Sequence, residues 1–350
     1  MNSEKKLKEL FILIGFIVSI YSIVIIASSS YRLYKSSAEE NYFNSKFTLM
    51  QVKLNTGNKM NMDEFLKKLS SIGINEVFTR AMPNNIDKGE YIAATELVAT
   101  NYKINLKEFG QIVGRNLEEE ELVNGSKVAI IGEGNMKNTI EDNGDKYIKV
   151  FDEYFKVIGE IKGNEFLTYN VIVPLKAMPF YNNQYDVFNY LVNNSDIDKL
   201  NNFSSDYSID VSKMPKIDIK KELMRKLPEA KEFLYSLCLA IINMILFSIL
   251  FAKDLKRDLS IMRILGAKNI HIIKLVLIKI LNLGLMAIPI ALIMANITIK
   301  YINSKVINSF SKLNFEIITL SIGVTGIIII IVALVTCFNT LSFKVIKEVR

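Results

Sequence analysis

The sequence predicts an α+β membrane protein: four transmembrane helices, with one large extracytoplasmic α+β domain between the first and second spans. Three observations carry this. Four long apolar stretches punctuate a chain of 350 residues. A polar middle, residues 31–230, separates the first stretch from the other three. The net charge of +7 is unevenly placed, because residues 31–230 hold 26 Lys+Arg against 29 Asp+Glu while the remainder holds 17 against 7. Basic residues flanking apolar runs mark membrane topology, whereas a nucleic-acid-binding patch belongs on the polar domain. The basic balance therefore excludes a soluble nucleic-acid-binding protein.

A helix needs roughly 20 apolar residues to cross the ~30 Å hydrocarbon layer. After a cytoplasmic N-terminus at residues 1–9, Leu10 to Ala27 (LFILIGFIVSIYSIVIIA) carries no charge. Lys5, Lys6 and Lys8 resemble the basic start of a signal peptide. The apolar run is longer than the roughly 7–15 residues of such a peptide, and only Ala27-Ser28-Ser29 approaches a cleavage site, so the run reads as an anchored span. Residues 231–350 supply the other spans at 233–252, 280–299 and 317–338, and Pro289 is expected to kink the third. Trp is absent, so an interfacial aromatic belt falls to Tyr21, Tyr31, Tyr235 and Tyr301. The segment 253–279 carries seven Lys+Arg against two acids, and the tail carries Lys344, Lys347 and Arg350. That excess places both termini and the 253–279 segment in the cytoplasm and the domain at 28–230 outside.

Within that domain Phe47 to Leu54 (FTLMQVKL) alternates as a half-buried strand. Asn61 or Asp63 caps a following helix whose apolar face is Phe65, Leu66, Leu69 and Ile72, and Asn75 to Arg80 reads as a second strand. Further strands are expected at Lys127–Ile131, Tyr147–Val150, Tyr154–Ile161 and from Val171, with Gly125, Gly132, Gly144 and Gly163 as turns. Asn193 to Ser205 reads as a loop or short helix, and Lys220 to Glu232 as a helical stalk leading to the second span.

The domain offers little chemistry. Gly132-Glu133-Gly134 begins like a dinucleotide loop, but Lys137 stands where the third glycine belongs. The carboxylates Glu118 to Glu121 read as a solvated turn and helix start. The single histidine, His271, is on the cytoplasmic side, and both cysteines, Cys238 and Cys337, lie in apolar runs. No catalytic residue, metal site, cofactor or disulfide framework is expected.

The most informative stretch is KDLKRDLSIMRILGAKNIHIIKLVLIK, residues 253–279. Leu255, Leu259, Met262, Ile264 and Leu265 are read as one apolar helix face, Lys256, Arg257 and Arg263 as a basic counter-face, and Gly266 as the C-cap. On amphipathicity alone the segment is equally an interfacial helix held by lipid headgroups. The order from Arg257 to Ala267 (RDLSIMRILGA) resembles the R-E-I-(A/G)-I-x-R-A-L-G-A coupling segment of the FtsX/MacB-type ABC transporter permeases, with Asp at 258 for Glu and Ile at 264 for Ala. Residues 114–133 (GRNLEEEELVNGSKVAIIGE), with YFKVIGEI from Tyr154 and VIVPL from Val171, are similar to the MacB-like periplasmic core domain. The ending NTLSFKVIKEVR is similar to the basic tail that follows the last span in these permeases.

The resemblance implies a MacB-like core domain with helical stalks at 28–230 and an FtsX-like permease domain at 231–350, with the coupling segment at 253–270. It implies a non-catalytic subunit of the bacterial cell membrane, acting by mechanotransmission. The G-x-x-x-x-G-K-[ST] phosphate loop is absent from the sequence, so ATP hydrolysis is expected on a separate ABC ATPase present in two copies. The coupling contact with that ATPase is expected at Lys256, Arg257, Asp258, Met262, Arg263, Leu265 and Gly266. A second permease chain, identical or not, is the implied membrane partner, and Gly323 and Gly326 fit a close helix contact there, within the chain or against lipid. The expected activity is export or extraction of an amphipathic substrate (a peptide, toxin, lipoprotein or drug) with a membrane-fusion-type adaptor. The alternative is an FtsX-like signalling subunit that activates an extracellular cell-wall hydrolase.

Overall fold

The protein is described from a computed structural model, which covers residues 2–341 apart from 56–58, 80, 88, 90–91, 106–107, 203–206, 223–234, 236–237, 240, 244, 247–248, 251–252, 254–258, 260, 263 and 306–310. The chain divides into two compact units, one made of Met1–Leu33 with Lys220–Arg350 and the other of Tyr34–Ile219.

The first unit is helical. Helix α1 (Asn2–Lys46) starts here and continues into the second unit. Phe16, Ile20 and Val24 recur every four residues and are buried, as a helix that packs along one face requires. Two further long helices follow, α4 (Asn269–Lys305) and α5 (Phe315–Leu341), numbered after two short helices of the second unit. Among the described residues three helices are long and apolar enough to cross a membrane: α1, α4 and α5. Half of the expected span at 233–252 lies outside the described residues, and those described within it are helical.

The helix that holds the third expected span, 280–299, extends beyond it at both ends. It begins at Asn269, not Ile280, and its 37 residues reach about 55 Å at 1.5 Å per residue, well beyond the hydrocarbon thickness. The reason lies in packing: Ile272 and Val276 are buried in the same cluster as Ile280, so the apolar face runs through Lys274 and Lys279 without a break. Gly284 leaves room for the Ile329 side chain of α5 against α4, since a Cβ there would stand 2.6 Å from Ile329 Cδ1. Ala287, Ala291 and Ala295 continue that small-residue face and are fully buried. Gly323 and Gly326 meet nothing within 4 Å among the described residues.

The second unit is built on a mixed sheet. Its strands are β1 (Phe47–Leu54), β3 (Val77–Thr79), β4 (Met82–Asp87), β5 (Ile92–Thr100), β6 (Gln111–Gly114), β7 (Val128–Gly132), β8 (Ile140–Asp142), β9 (Asp145–Val150), β10 (Glu153–Lys162), β11 (Asn170–Pro174), β13 (Val187–Asn193) and β14 (Tyr207–Lys213). The order across the sheet is β14-β1-β13-β3-β5-β11-β7-β10-β9-β8, with β4 added on β5 and β6 on β10. The pairs β10–β7 and β11–β5 are parallel. A small pair, β2 (Met60–Asn61) with β12 (Gln184–Tyr185), stands apart.

Alternation sends side chains to opposite faces, and both faces are covered. Val171 and Val173 join one core with Phe65 and Leu69, while Ile172 joins the other with Phe47 and Phe78. Helix α2 (Met62–Ser71) covers the first face. Asn61 caps it: its Oδ1 accepts the Glu64 N–H at 2.9 Å, and the Glu64 carboxylate accepts the Asn61 N–H in return. The Phe65 ring stacks on Phe188 with centroids 4.1 Å apart. On the second face lie Leu122 of helix α3 (Glu119–Asn124) and Phe43 of α1.

The expected strands at 47–54, 127–131, 147–150, 154–161 and from 171 are present with ends displaced by at most two residues, and Asn75–Arg80 shortens to Val77–Thr79. Asn194–Asn202 is a 3₁₀ helix between β13 and β14. Glu119 to Glu121 form the first turn of α3, where carboxylates suit the helix dipole. Arg115 forks onto the Glu121 carboxylate at 2.6 and 2.8 Å and holds that carboxyl below the usual carboxylate range. Of the expected stalk at Lys220 to Glu232, only residues 220–222 are described, and they are helical or continuous with helix.

Candidate partner-docking segment

The segment before α4 is ordered by a helix end. Leu265 donates its N–H to Ile261 O at 3.0 Å, and Ala267 donates to Met262 O at 2.9 Å. Gly266 lies between them with φ +88°. A left-handed residue with a bond from the next N–H back five positions is the Schellman stop. Only glycine adopts that φ without steric cost, which is why the helix ends here and not later. Lys268 then opens α4 by accepting from His271 at 2.9 Å.

Burial sorts the apolar residues of this segment. Leu259 is 5% exposed and belongs to the buried cluster that includes Ile272 and Val276. Leu265 is 80% exposed, Ile264 61% and Ile270 68%. Met262 and Ile261 are also exposed. The single apolar face expected from sequence is therefore divided. At 100° per residue, Ile264 falls some 140° around the helix from Leu259, so the two cannot share a face. Leu259 anchors the segment to its own unit, and Ile261, Met262, Ile264 and Leu265 form an unburied apolar tip at the helix end. An isolated exposed leucine is ordinary, but a cluster at a rigid turn is the form of a contact surface.

Of the expected contact residues, Met262, Leu265 and Gly266 are thus placed together at one turn. Lys256, Arg257, Asp258 and Arg263 lie outside the described residues. Ile261 and Ile270, exposed beside these residues, were not among the expected contact residues, and Ile264 was expected on the same apolar face as Leu259. The signal for Ile264 was available in its angular distance from Leu259.

Among the described residues the second unit has no comparable exposed cluster. Gly132 serves backbone packing, since a Cβ there would fall 2.0 Å from Leu167 O, and Gly134 packs under the Thr168 and Tyr169 side chains. Among the described residues no group of three or more His, Cys, Asp or Glu side chains is placed to hold a metal ion. A cleft of about 450 Å³ opens where β3 ends, lined by Thr79, Met82, Phe180, Tyr185, Phe188 and Tyr190. Burial pushes the Tyr190 hydroxyl above the usual phenol range, as expected of a largely apolar surround.

Three solved structures resemble the chain: the periplasmic region of MacB from Actinobacillus actinomycetemcomitans, the extracellular domain of the noncanonic ABC-type transporter YknZ from Gram-positive bacteria, and a domain of a putative permease protein from Porphyromonas gingivalis. The first is 14% identical with a TM-score of 0.33, covering 50% of this chain and 92% of that one. The second is 13% identical at 0.32, covering 46% and 99%, and the third 9% identical at 0.31, covering 49% and 91%. No curated protein matches the chain. The family model described as FtsX-like permease C-terminal matches residues 233–346, which include the Gly266 turn, α4 and α5. Residues 233–346 are therefore an FtsX-like permease C-terminal domain.

Proposed function

We propose that the chain is a mechanotransmission subunit: a separate ABC ATPase docks on the turn at residues 259–267, and its ATP-driven closure is carried through the spans to the external unit. The observation that carries this reading is the rigid apolar tip, with Leu265 80% exposed at a Schellman turn whose other side is anchored by buried Leu259. A tip of this kind fits a groove, and the basic residues Lys256, Arg257 and Arg263 with Asp258 would set register around it.

In this reading four spans place both termini and the coupling segment in the cytoplasm and the 34–219 unit outside. The charge distribution supports that orientation. The continuity of α1 from Asn2 to Lys46 supports transmission, because a single helix can carry displacement from membrane to domain. The expected spans hold no charged side chain, which argues against a polar conduit through the bundle. Two permease chains and two ATPase subunits make the working complex. The aromatic-lined cleft suits the apolar part of an amphipathic substrate moved at the outer face.

Affinity purification of the full chain from its native membrane tests this reading. An ABC ATPase chain is expected to co-purify, and its ATPase activity is expected to depend on the permease. Recovery of the chain with no ATP-binding subunit would remove the proposal.

A further inference from the structure

The chain passes between its two units twice, at Leu33–Tyr34 within α1 and at Ile219–Lys220 on the way to the 233–252 span. Just inside the second unit these two crossings are tied to one another. Asn41 of α1 donates from Nδ2 to Ile217 O at 2.8 Å and accepts the Ile217 N–H on Oδ1 at 2.6 Å. One side chain thereby takes both polar groups of the Ile217 residue, as a neighbouring strand would. One turn further along α1, Asn44 donates to Pro215 O at 3.1 Å, and Asn194 donates to Ser45 O at 2.6 Å. Asn41 and Asn44 stand three apart, so they share one helix face.

A different face of the same helix grips the body of the domain. The Glu39 carboxylate accepts the N–H groups of Glu165 and Phe166 at 2.7 and 3.1 Å, and Lys35 donates to Gly163 O at 3.1 Å. The Phe43 ring lies against Phe166, Phe109 and Phe78, with centroids 5.4 to 5.6 Å apart. The first crossing is thus fixed to the loop at 163–166, and the second crossing is fixed to the first.

We infer that Asn41, backed by Asn44, is a force-transfer clamp that makes the two crossings enter the external unit as one body, so that movement of either leg reaches the 163–166 loop. This rests on the mechanotransmission reading and assigns that reading a residue. Without Asn41, only Asn44 at Pro215 O ties the second leg to α1, and Ile217 and the residues that follow it lose their hold on the helix. Asn41 is a positioning residue, acting on substrate only through the domain it moves.

The test uses the full chain in native membrane vesicles with its co-purified ATPase, and reads amide hydrogen exchange with and without Mg·ATP. In the wild type, ATP is expected to change exchange both at 259–272 and at 163–170. Asn41→Leu, similar in size but without either hydrogen-bonding arm, is expected to keep the change at 259–272 and to reduce that at 163–170 at least fivefold. Core amides of β7 and β11 should stay as protected as in the wild type, which distinguishes loss of transmission from loss of fold. Should Asn41→Leu fail to fold, Asn41→Asp keeps the acceptor for the Ile217 N–H and loses only the donor, and an intermediate response is expected. An ATP response at 163–170 that survives either folded variant undiminished overturns the clamp and leaves the mechanotransmission reading standing. Absence of any ATP response in the wild type overturns both.

Discussion

Gly132→Ala is expected to lower the thermal midpoint of the second unit by about 6–12 °C. Gly132 ends β7, and the loop from Asn164 to Asn170 crosses directly over it. A methyl group at position 132 would lie 2.0 Å from Leu167 O, 2.4 Å from Thr168 O and 2.5 Å from Thr168 C. All three are backbone atoms, so no rotamer change relieves the clash. The loop is itself held by Asn164, whose Oδ1 accepts the Leu167 N–H at 2.7 Å, and by Thr168 O, which accepts the Gly134 N–H at 3.0 Å. Overpacking a well-packed site costs about 1–3 kcal/mol and occasionally more. Two displaced carbonyls with their bonds put this site at the upper end, about 3 kcal/mol, and each kcal/mol shifts the midpoint of a unit this size by about 2–4 °C. Gly144→Ala is the internal control: φ is +82° but nothing lies within 4 Å, so only about 1 kcal/mol of backbone strain is expected. Thermal unfolding of both variants in the full detergent-solubilised chain checks the contrast. Equal midpoints would show that the loop yields freely.

The second large effect is at the docking turn. Leu265→Asp is expected to reduce permease-dependent ATPase stimulation at least tenfold while leaving membrane insertion and thermal stability unchanged. With 80% of the side chain exposed, little packing within the chain is lost, and exposed substitutions commonly stay within about 0.5 kcal/mol. An apolar anchor in a partner's groove is worth about 2 kcal/mol or more, and a buried charge makes the loss larger. Gly266→Pro acts by another route to the same result. Proline fixes φ near −65° and cannot take the +88° seen here, so the turn into α4 is rebuilt and the tip is re-aimed. Stimulation of the co-purified ATPase by each variant, against insertion measured by membrane fractionation, separates docking from folding.

Much of this was legible in sequence where one physical cue dominated. The run Tyr154–Ile161 alternates and is bounded by turns, and it is strand β10 within a residue at each end. Asn61 was one of two candidate caps, and structure chooses it because Asp63 instead accepts the Tyr181 hydroxyl. Strand β5, IAATELVAT, escaped reading because its burial changes along its length. It alternates through Leu97 beside β4, then is buried on both faces from Val98 where β3 and β11 flank it. Strand β14 escaped for the opposite reason, being an edge strand with mostly exposed polar residues. The helix end at Gly266 was legible through its glycine. The division of its apolar residues between anchor and tip was obscured because both kinds are aliphatic. The Asn41 clamp left no local signal, since its partner stands 176 positions away.

The claim that the 259–267 turn is where an ATPase docks is tested most directly by a photo-crosslinking residue at position 265 in the full chain, activated in native membranes. Capture of an ABC ATPase chain at position 265 is predicted. Position 315, where Phe315 is equally exposed at 82% and stands outside in the proposed topology, should capture none. Capture at 315 and not at 265, or lipid alone at 265, would contradict the account.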